Sequence, residues 1–566
     1  MVVSTLVILA AVVIYVVLYF TYGKALEKKV VKADPTRETP AHKYYDGVDY
    51  VPAHPVVLYG HHFASIAGAG PIVGPAVAMA WGWLPGLLWV WFGNVFIGAV
   101  HDYLALMSSV RHDGKSIQWL AGNLMTKRTG YTFELYIFFS LILVLAAFMA
   151  VVAGIFAKLP EVATASIAFI IVAVIVGILM YRVKLNFYIS TIVGLILLGL
   201  AIWIGFLFPI KADFQTWVVV LLIYSIVASS LPVWILLQPR DYLNAYILWA
   251  GLVLGGLAFL IIGKDLTAPA MTSFTANVVG GKPSPFWPTV PLVIACGALS
   301  GFHSLVGSGT SSKQLDNELH GLLVGYGGMF TEGFLSTIVI VSIAVYGFTV
   351  FAESGVQMTP DIWGTSYAVM AVKKVGKVGI FSKSYAHGLK DAFGIPIKIG
   401  NMFASLWVAA FALTTLDTAT RLARFTLQEI LEPLKGSSVQ RVLSNRWIAS
   451  LIPALIGAWM ALARSWLIIW PAFSGMNQLL ASIALMTAAL WVAKVARPSG
   501  GWRLAVLIPA IFLWITVTTA IIWFLAVVKP SIEVSIILAV SLILNFMLFA
   551  DFVSAYRRPS ESYVPA

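Results

Sequence analysis

The sequence predicts an all-α polytopic membrane protein, and three observations carry that prediction. Of 566 residues, 60% are hydrophobic and only 11% are charged, against about 25% charged in an ordinary soluble domain. The mean hydropathy is +0.91. The apolar residues fall in repeated runs of about 20, the length of helix that crosses a hydrocarbon core. Lipid offers no partner to free N–H and C=O groups, so such runs must be helical.

Taken in order, the runs predict about 15 transmembrane helices, near 3–21, 62–82, 84–109, 131–157, 162–181, 185–208, 214–236, 246–263, 286–306, 321–348, 397–416, 447–466, 470–493, 502–527 and 531–555. The first run lacks a basic leader and a small-residue cleavage site, so it reads as a retained helix and not a signal peptide. The polar stretches around 22–60, 349–396 and 417–446 are too short to bury a core of their own. The single cysteine, Cys296, excludes an internal disulfide framework.

The net charge of +12 does not indicate a nucleic-acid partner, because the basic residues are scattered between apolar spans. They report orientation instead. With the N-terminus outside, 24 Lys and Arg fall on the inner side and 12 on the outer, six of the latter in or just after 349–396. The expectation is a multi-pass protein of the inner (cytoplasmic) membrane, N-terminus outside and C-terminus cytoplasmic.

Two spans carry helix breakers. In His61-His62-Phe63-Ala64-Ser65-Ile66-Ala67-Gly68-Ala69-Gly70-Pro71-Ile72-Val73-Gly74-Pro75, glycines and prolines crowd one span. Irregular backbone at membrane depth must be buried or line an aqueous cavity, and secondary transporters use such interrupted helices as binding devices. The second is Tyr224 to Trp234, with Ser229, Ser230 and Pro232. It lies five spans on and crosses in the opposite sense, as in a 5+5 inverted repeat. A 7+7 count also closes, pairing the first break with Gly297-Ala298-Leu299-Ser300-Gly301-Phe302-His303-Ser304. The 5+5 count is preferred. It divides the chain into an extra helix 1–21, a cytoplasmic basic segment 22–61 and a first repeat 62–208. A second repeat 214–416 follows, carrying an outer segment 349–396, then a cytoplasmic segment 417–446 and peripheral C-terminal helices with the tail, 447–566.

The chemistry follows from the breaks. A half-helix that starts at Gly68–Gly70 exposes N–H groups and a partial positive charge suited to a carboxylate. Candidate substrate contacts are Ser65, Gly68, Ala69, Gly70, Ser229 and Ser230. Buried ionisable groups are costly in lipid and mark ion pathways. The coupling-ion candidates are Glu332, His61, His62, Asp102 and His303, with Glu332 foremost. His101 with Asp102 suits a relay or a capping pair, and Asp417 reads as a helix-end salt bridge near Arg421. For sodium, the alternative to protons, Ser308, Thr310, Ser311 and Ser312 offer hydroxyl oxygens, although such hydroxyls commonly bond their own i−4 carbonyls. No Gly-x-Ser-x-Gly, His-Glu-x-x-His or phosphate-loop pattern occurs, so neither an enzyme nor an ATP-driven pump is expected. No cofactor, nucleic acid or nucleotide-binding subunit is expected; the partners are the lipid bilayer and a small-molecule or peptide substrate. A channel is the competing class, ahead of an intramembrane enzyme or a receptor.

Several blocks resemble the carbon starvation protein A family. They are Asp46–Pro52, Gly60–Pro71, Leu231–Leu243, Ala295–Ser304, Gly325–Met329 and Leu416–Phe425, in family order. The resemblance implies uptake of peptides and of pyruvate under nutrient limitation. It also implies a LeuT-like 5+5 core of the amino acid–polyamine–organocation superfamily, in which the hydroxyl run beside the first break could hold sodium. Gly307-Ser308-Gly309-Thr310-Ser311-Ser312-Lys313 departs from the Ser-Ser-Gly-Thr-Thr-Pro-Lys-like run expected of the family, and the stretch 349–396 is shorter than its counterpart.

Overall fold

The computed structural model describes residues 2–559 except 48–49, 232–234, 295, 377 and 464–465. The first helices are α1 (Ser4–Val31), α2 (Pro55–Ile66), α3 (Gly70–Trp81), α4 (Trp83–Val110) and α5 (Ile117–Leu124). Next come α6 (Lys127–Lys158), α7 (Pro160–Tyr181), α8 (Phe187–Leu207), α9 (Phe214–Ser230) and α10 (Leu237–Ile261). A short antiparallel hairpin, β1 (Thr275–Asn277) with β2 (Pro283–Pro285), leads into α11 (Phe286–Val293), α12 (Gly301–Gly309) and α13 (Leu322–Glu353). The chain continues through α14 (Pro360–Met370), α15 (Gly379–Phe393), α16 (Ile397–Ile430) and α17 (Arg446–Ala463). It ends with α18 (Leu467–Ala496), α19 (Gly500–Val528) and α20 (Ile532–Arg557).

Among the described residues, 12 helices are long and apolar enough to cross a membrane, or 13 if α2 and α3, bent by 48°, form one span. Fifteen were expected. Of the remaining two, α9 is a 17-residue apolar helix. The run 286–306 is not one helix but two short ones, α11 and α12, with residues 294 and 296–300 between them non-helical.

Helix starts are written locally. Ser116, Thr126, Asn186 and Asp213 each accept a hydrogen bond from a first-turn N–H, satisfying one of the orphan donors there. Pro55 and Pro160 occupy first-turn positions, where a missing N–H costs nothing. This moves one expected boundary: α2 starts at Pro55, not near 62, with His54 Nδ1 accepting from Val56 N. The first helix likewise runs past 21 to Val31, because Glu27 on its buried side pairs with Lys24 at 2.8 Å. At the other boundary expected to open a loop, near 417, α16 continues to Ile430.

Burial sorts the helices into layers. In α6, α13, α16 and α18, 83% of the apolar window is buried, against 28% in α1 and 33% in α8 and α20. The first four therefore form the centre, and the latter three present their apolar sides outward. This corrects the expectation that everything after 447 is peripheral: α18 is central. The cause is legible in its polar side chains. Trp470 and Gln478 lie eight residues apart on one face and donate to the carbonyls of Val293 (3.2 Å) and Ile294 (2.5 Å), while Ser474 between them bonds Leu292 O. Interrupting the 286–306 run frees those carbonyls, and free carbonyls must be satisfied inside a membrane.

The second interruption thus lies between Val293 and Gly301, seven spans after the first. The segment expected to hold it, 214–236, is continuous helix through Ser230, and Pro232 lies outside the described residues. Ser229 bonds Ser450 of α17 at 3.0 Å and Ile226 O at 3.1 Å.

Candidate transport site

The two interruptions face each other. Gly70, first residue of α3, approaches Cys296 so closely that a Cβ there would sit 2.5 Å from Sγ. Gly297 next to it has φ of +82°, a conformation that favours glycine, and its carbonyl accepts from Asn94 Nδ2 at 2.7 Å. The same Asn94 amide donates to Met329 O at 2.7 Å. Ser336 of α13 donates to Pro71 O at 2.7 Å. Asn477 Oδ1 accepts from Phe302 N at 3.0 Å, in the first turn of α12. The start of α3 is thus held by a side chain of α13, and the second break by side chains of α4 and α18.

Beside them lies a chain of buried ionisable groups. Asp102 accepts from His101 Nδ1 at 2.8 Å and from His303 Nδ1 at 2.9 Å. His303 Nε2 on the far side of the ring faces Glu332 Oε2 at 3.6 Å, within ion-pair range but beyond a hydrogen bond. All four side chains are fully or almost fully buried. His303 Nε2 and both Glu332 oxygens have no hydrogen-bond partner. Donor atoms of Cys296, His303 and Glu332 lie within 4.8 Å of one another, so this is also where the chain could hold a borderline metal ion. His62 is buried next to the chain, with Nδ1 on Ser311 Oγ at 2.7 Å.

A small cavity of about 10 Å³, space for roughly one water, sits at the junction, lined by Gly68, Phe148, Cys296, Ser300, Thr415 and Asn477 among others. A Cβ on Gly68 would meet Thr415 Oγ1 at 2.7 Å.

Of the expected site residues, the structure brings Gly68, Ala69 and Gly70 together with Asp102, His303 and Glu332, and places Ser65 buried in the last turn of α2. Others stand elsewhere. His61 lines a separate groove of about 730 Å³ with Tyr246 and Trp249. Ser229 and Ser230 face Ser450, because α9 packs on α17. Three of the four hydroxyls considered for sodium donate to carbonyls four residues back, Ser308 to Ser304 O (2.6 Å), Thr310 to Val306 O (2.9 Å) and Ser312 to Ser308 O (3.0 Å), and the fourth, Ser311, pairs with His62 of α2. Asp417 bonds Arg240 through both oxygens, with Tyr224 and Asp241 completing a buried network. That pairing is more than a helix-end bridge: it joins α9, α10 and α16, and removing one partner of such a pair leaves a buried charge uncompensated.

Sequence reasoning missed Asn94, Phe148, Thr415, Asn477 and Gln478. The amides had a readable signal, since Asn94 and the pair Asn477-Gln478 are isolated polar residues inside long apolar runs.

These features define a multi-span membrane protein built around two interrupted helices and a buried ionisable cluster. The family model described as carbon starvation protein CstA matches residues 3–520, and the chain belongs to that family. It is 34% identical to the peptide transporter CstA of Escherichia coli, over 91% of this chain and 80% of the relative. It is 32% identical to the peptide transporter CstA of Bacillus subtilis, over 91% and 90%. It is 30% identical to the pyruvate/proton symporter BtsT of Escherichia coli, over 93% and 82%. Among solved structures, a manganese transporter from Eremococcus coleocola aligns over 90% of this chain and 96% of its own at 11% identity, with a TM-score of 0.43.

Proposed function

We propose that this protein is a proton-coupled secondary transporter that takes up pyruvate-like carboxylates or short peptides across the cytoplasmic membrane by alternating access. The observation that carries this reading is the contact between the two interruptions, Gly70 against Cys296, with the His303–Glu332 pair directly beside it. Relatives named for peptide transport and for pyruvate/proton symport support the substrate class. The core is an inverted repeat of the 7+7 kind, in which α2–α3 and α11–α12, seven spans apart, are equivalent. The half-helix beginning at Gly70 receives the substrate carboxylate. Glu332 takes up the proton, and His303, held by Asp102 and 3.6 Å from Glu332, passes it on. Protons are preferred to sodium because Asp102, His303 and Glu332 form a buried ionisable chain at the site, whereas Ser308, Thr310 and Ser312 donate to carbonyls four residues back and Ser311 pairs with His62. The junction cavity has room for about one water and must widen to admit any carboxylate.

Reconstituted into proteoliposomes, the protein should take up pyruvate or di- and tripeptides saturably and accumulate them on an inward proton gradient. Non-saturating flux would mark a channel, and accumulation on sodium alone would overturn the coupling.

The orientation is N-terminus outside. A cysteine placed at Lys32 should resist a membrane-impermeant thiol reagent in intact cells and react after permeabilisation. Labelling without permeabilisation would reverse the assignment.

A further inference from the structure

We infer that a second, lysine-lined cavity at one end of the α6–α16 pair is a capture vestibule for the carboxylate group of the substrate; this rests on the transport reading above. The cavity measures about 340 Å³, and three lysines, Lys158, Lys374 and Lys383, line it with Asn401 and Ser405. No carboxylate is among its lining residues. The lysine ion pairs among the described residues belong to Lys24, Lys43 and Lys264, so the three vestibule ammoniums have no acidic partner. The 15-residue helix α15 begins at Gly379 on the cavity wall, and its N-terminal dipole adds positive potential. Walls of low dielectric concentrate such a field and raise the local concentration of an anion.

Position ties this cavity to the central one. Both are lined by α6 and α16: Gly154 and Lys158 belong to the vestibule and Phe148 to the central cavity, while Asn401 and Ser405 belong to the first and Thr415 to the second. At 1.5 Å per residue, Phe148 and Gly154 are about 9 Å apart along the helix, and Thr415 and Ser405 about 15 Å. The vestibule thus stands over the central cavity on the seam of two packed helices, at the end of α16 opposite to Asp417. An anion held by the lysines would have one short seam to follow inward.

The test uses the purified full chain and acylation of lysines by acetic acid N-hydroxysuccinimide ester, read site by site by mass spectrometry. Millimolar pyruvate or dialanine should slow modification of Lys158, Lys374 and Lys383 at least threefold and leave Lys211 and Lys529 unaffected, whereas dialanine amide should protect none. Equal rates with and without carboxylate would overturn the vestibule, as would protection by phosphatidylglycerol micelles alone. In proteoliposomes, Lys158→Gln with Lys383→Gln should raise KM for uptake about tenfold at the same maximal rate and flatten its dependence on salt. Unchanged KM with intact uptake would refute the vestibule and spare the transport reading. Carboxylate protection without any uptake would do the reverse.

Discussion

Glu332→Gln should abolish concentrative uptake while leaving exchange of labelled for unlabelled substrate largely intact. Glutamine keeps the size of the side chain and can still hydrogen-bond, but it cannot carry a proton. Glu332 is fully buried, its oxygens have no hydrogen-bond partner, and His303 Nε2 lies 3.6 Å from its Oε2. Such a group has no structural obligation that explains its presence in a membrane span. For a monocarboxylate carried with one proton, a gradient of one pH unit limits accumulation to about tenfold, or about 1.4 kcal/mol. The wild type should approach that limit and the variant should settle near equal concentrations. Uptake measured with imposed pH and sodium gradients, separately, decides it. A variant that still concentrates substrate on a proton gradient would remove Glu332 from the coupling.

Gly70→Leu should abolish uptake with expression largely preserved, and Gly70→Ala should reduce uptake at least tenfold. The sequence argument placed the ligand at this glycine; the structure adds a nearer cause. Any Cβ at position 70 would lie 2.5 Å from Cys296 Sγ and 2.6 Å from Cys296 Cβ, so the two interrupted helices would have to separate. Over-packing of this kind costs about 1–3 kcal/mol, enough to displace one conformational state against another without unfolding a protein of this size. Adding Cys296→Gly to Gly70→Ala removes the colliding atoms and should restore a substantial part of the rate. Wild-type transport by Gly70→Leu would place the binding break somewhere else, and failure of the double variant to recover would show that close approach is not what the glycine provides.

Much of the architecture was legible because lipid is an unforgiving solvent for backbone. The apolar runs, the broken span at Gly68–Gly70 and the buried Asp102, His303 and Glu332 could all be read from residue type alone. The second interruption was harder. Ser229-Ser230-Leu231-Pro232 does end a helix, α9 closing at Ser230, but the interruption that meets Gly70 is the one that follows Val293. Tertiary partners decide this: Trp470, Ser474 and Gln478 supply donors to the 292–294 carbonyls, and nothing within 286–306 itself announces them. For the same reason α18 read as peripheral. Its polar stripe makes sense only once the strand it serves is known. His61 and His62 show the limit from the other side, since adjacent identical residues diverge, one into an outer groove and one into the core.

The walls of the central cavity have a division of labour. Phe148 of α6, Thr415 of α16 and Asn477 of α18 line the junction cavity, whereas the buried ionisable groups come from α4, α12 and α13. Cys296 belongs to both sets. On the transport reading proposed above, substitutions at Phe148 or Thr415 should change what is carried without altering the groups proposed to couple it to protons.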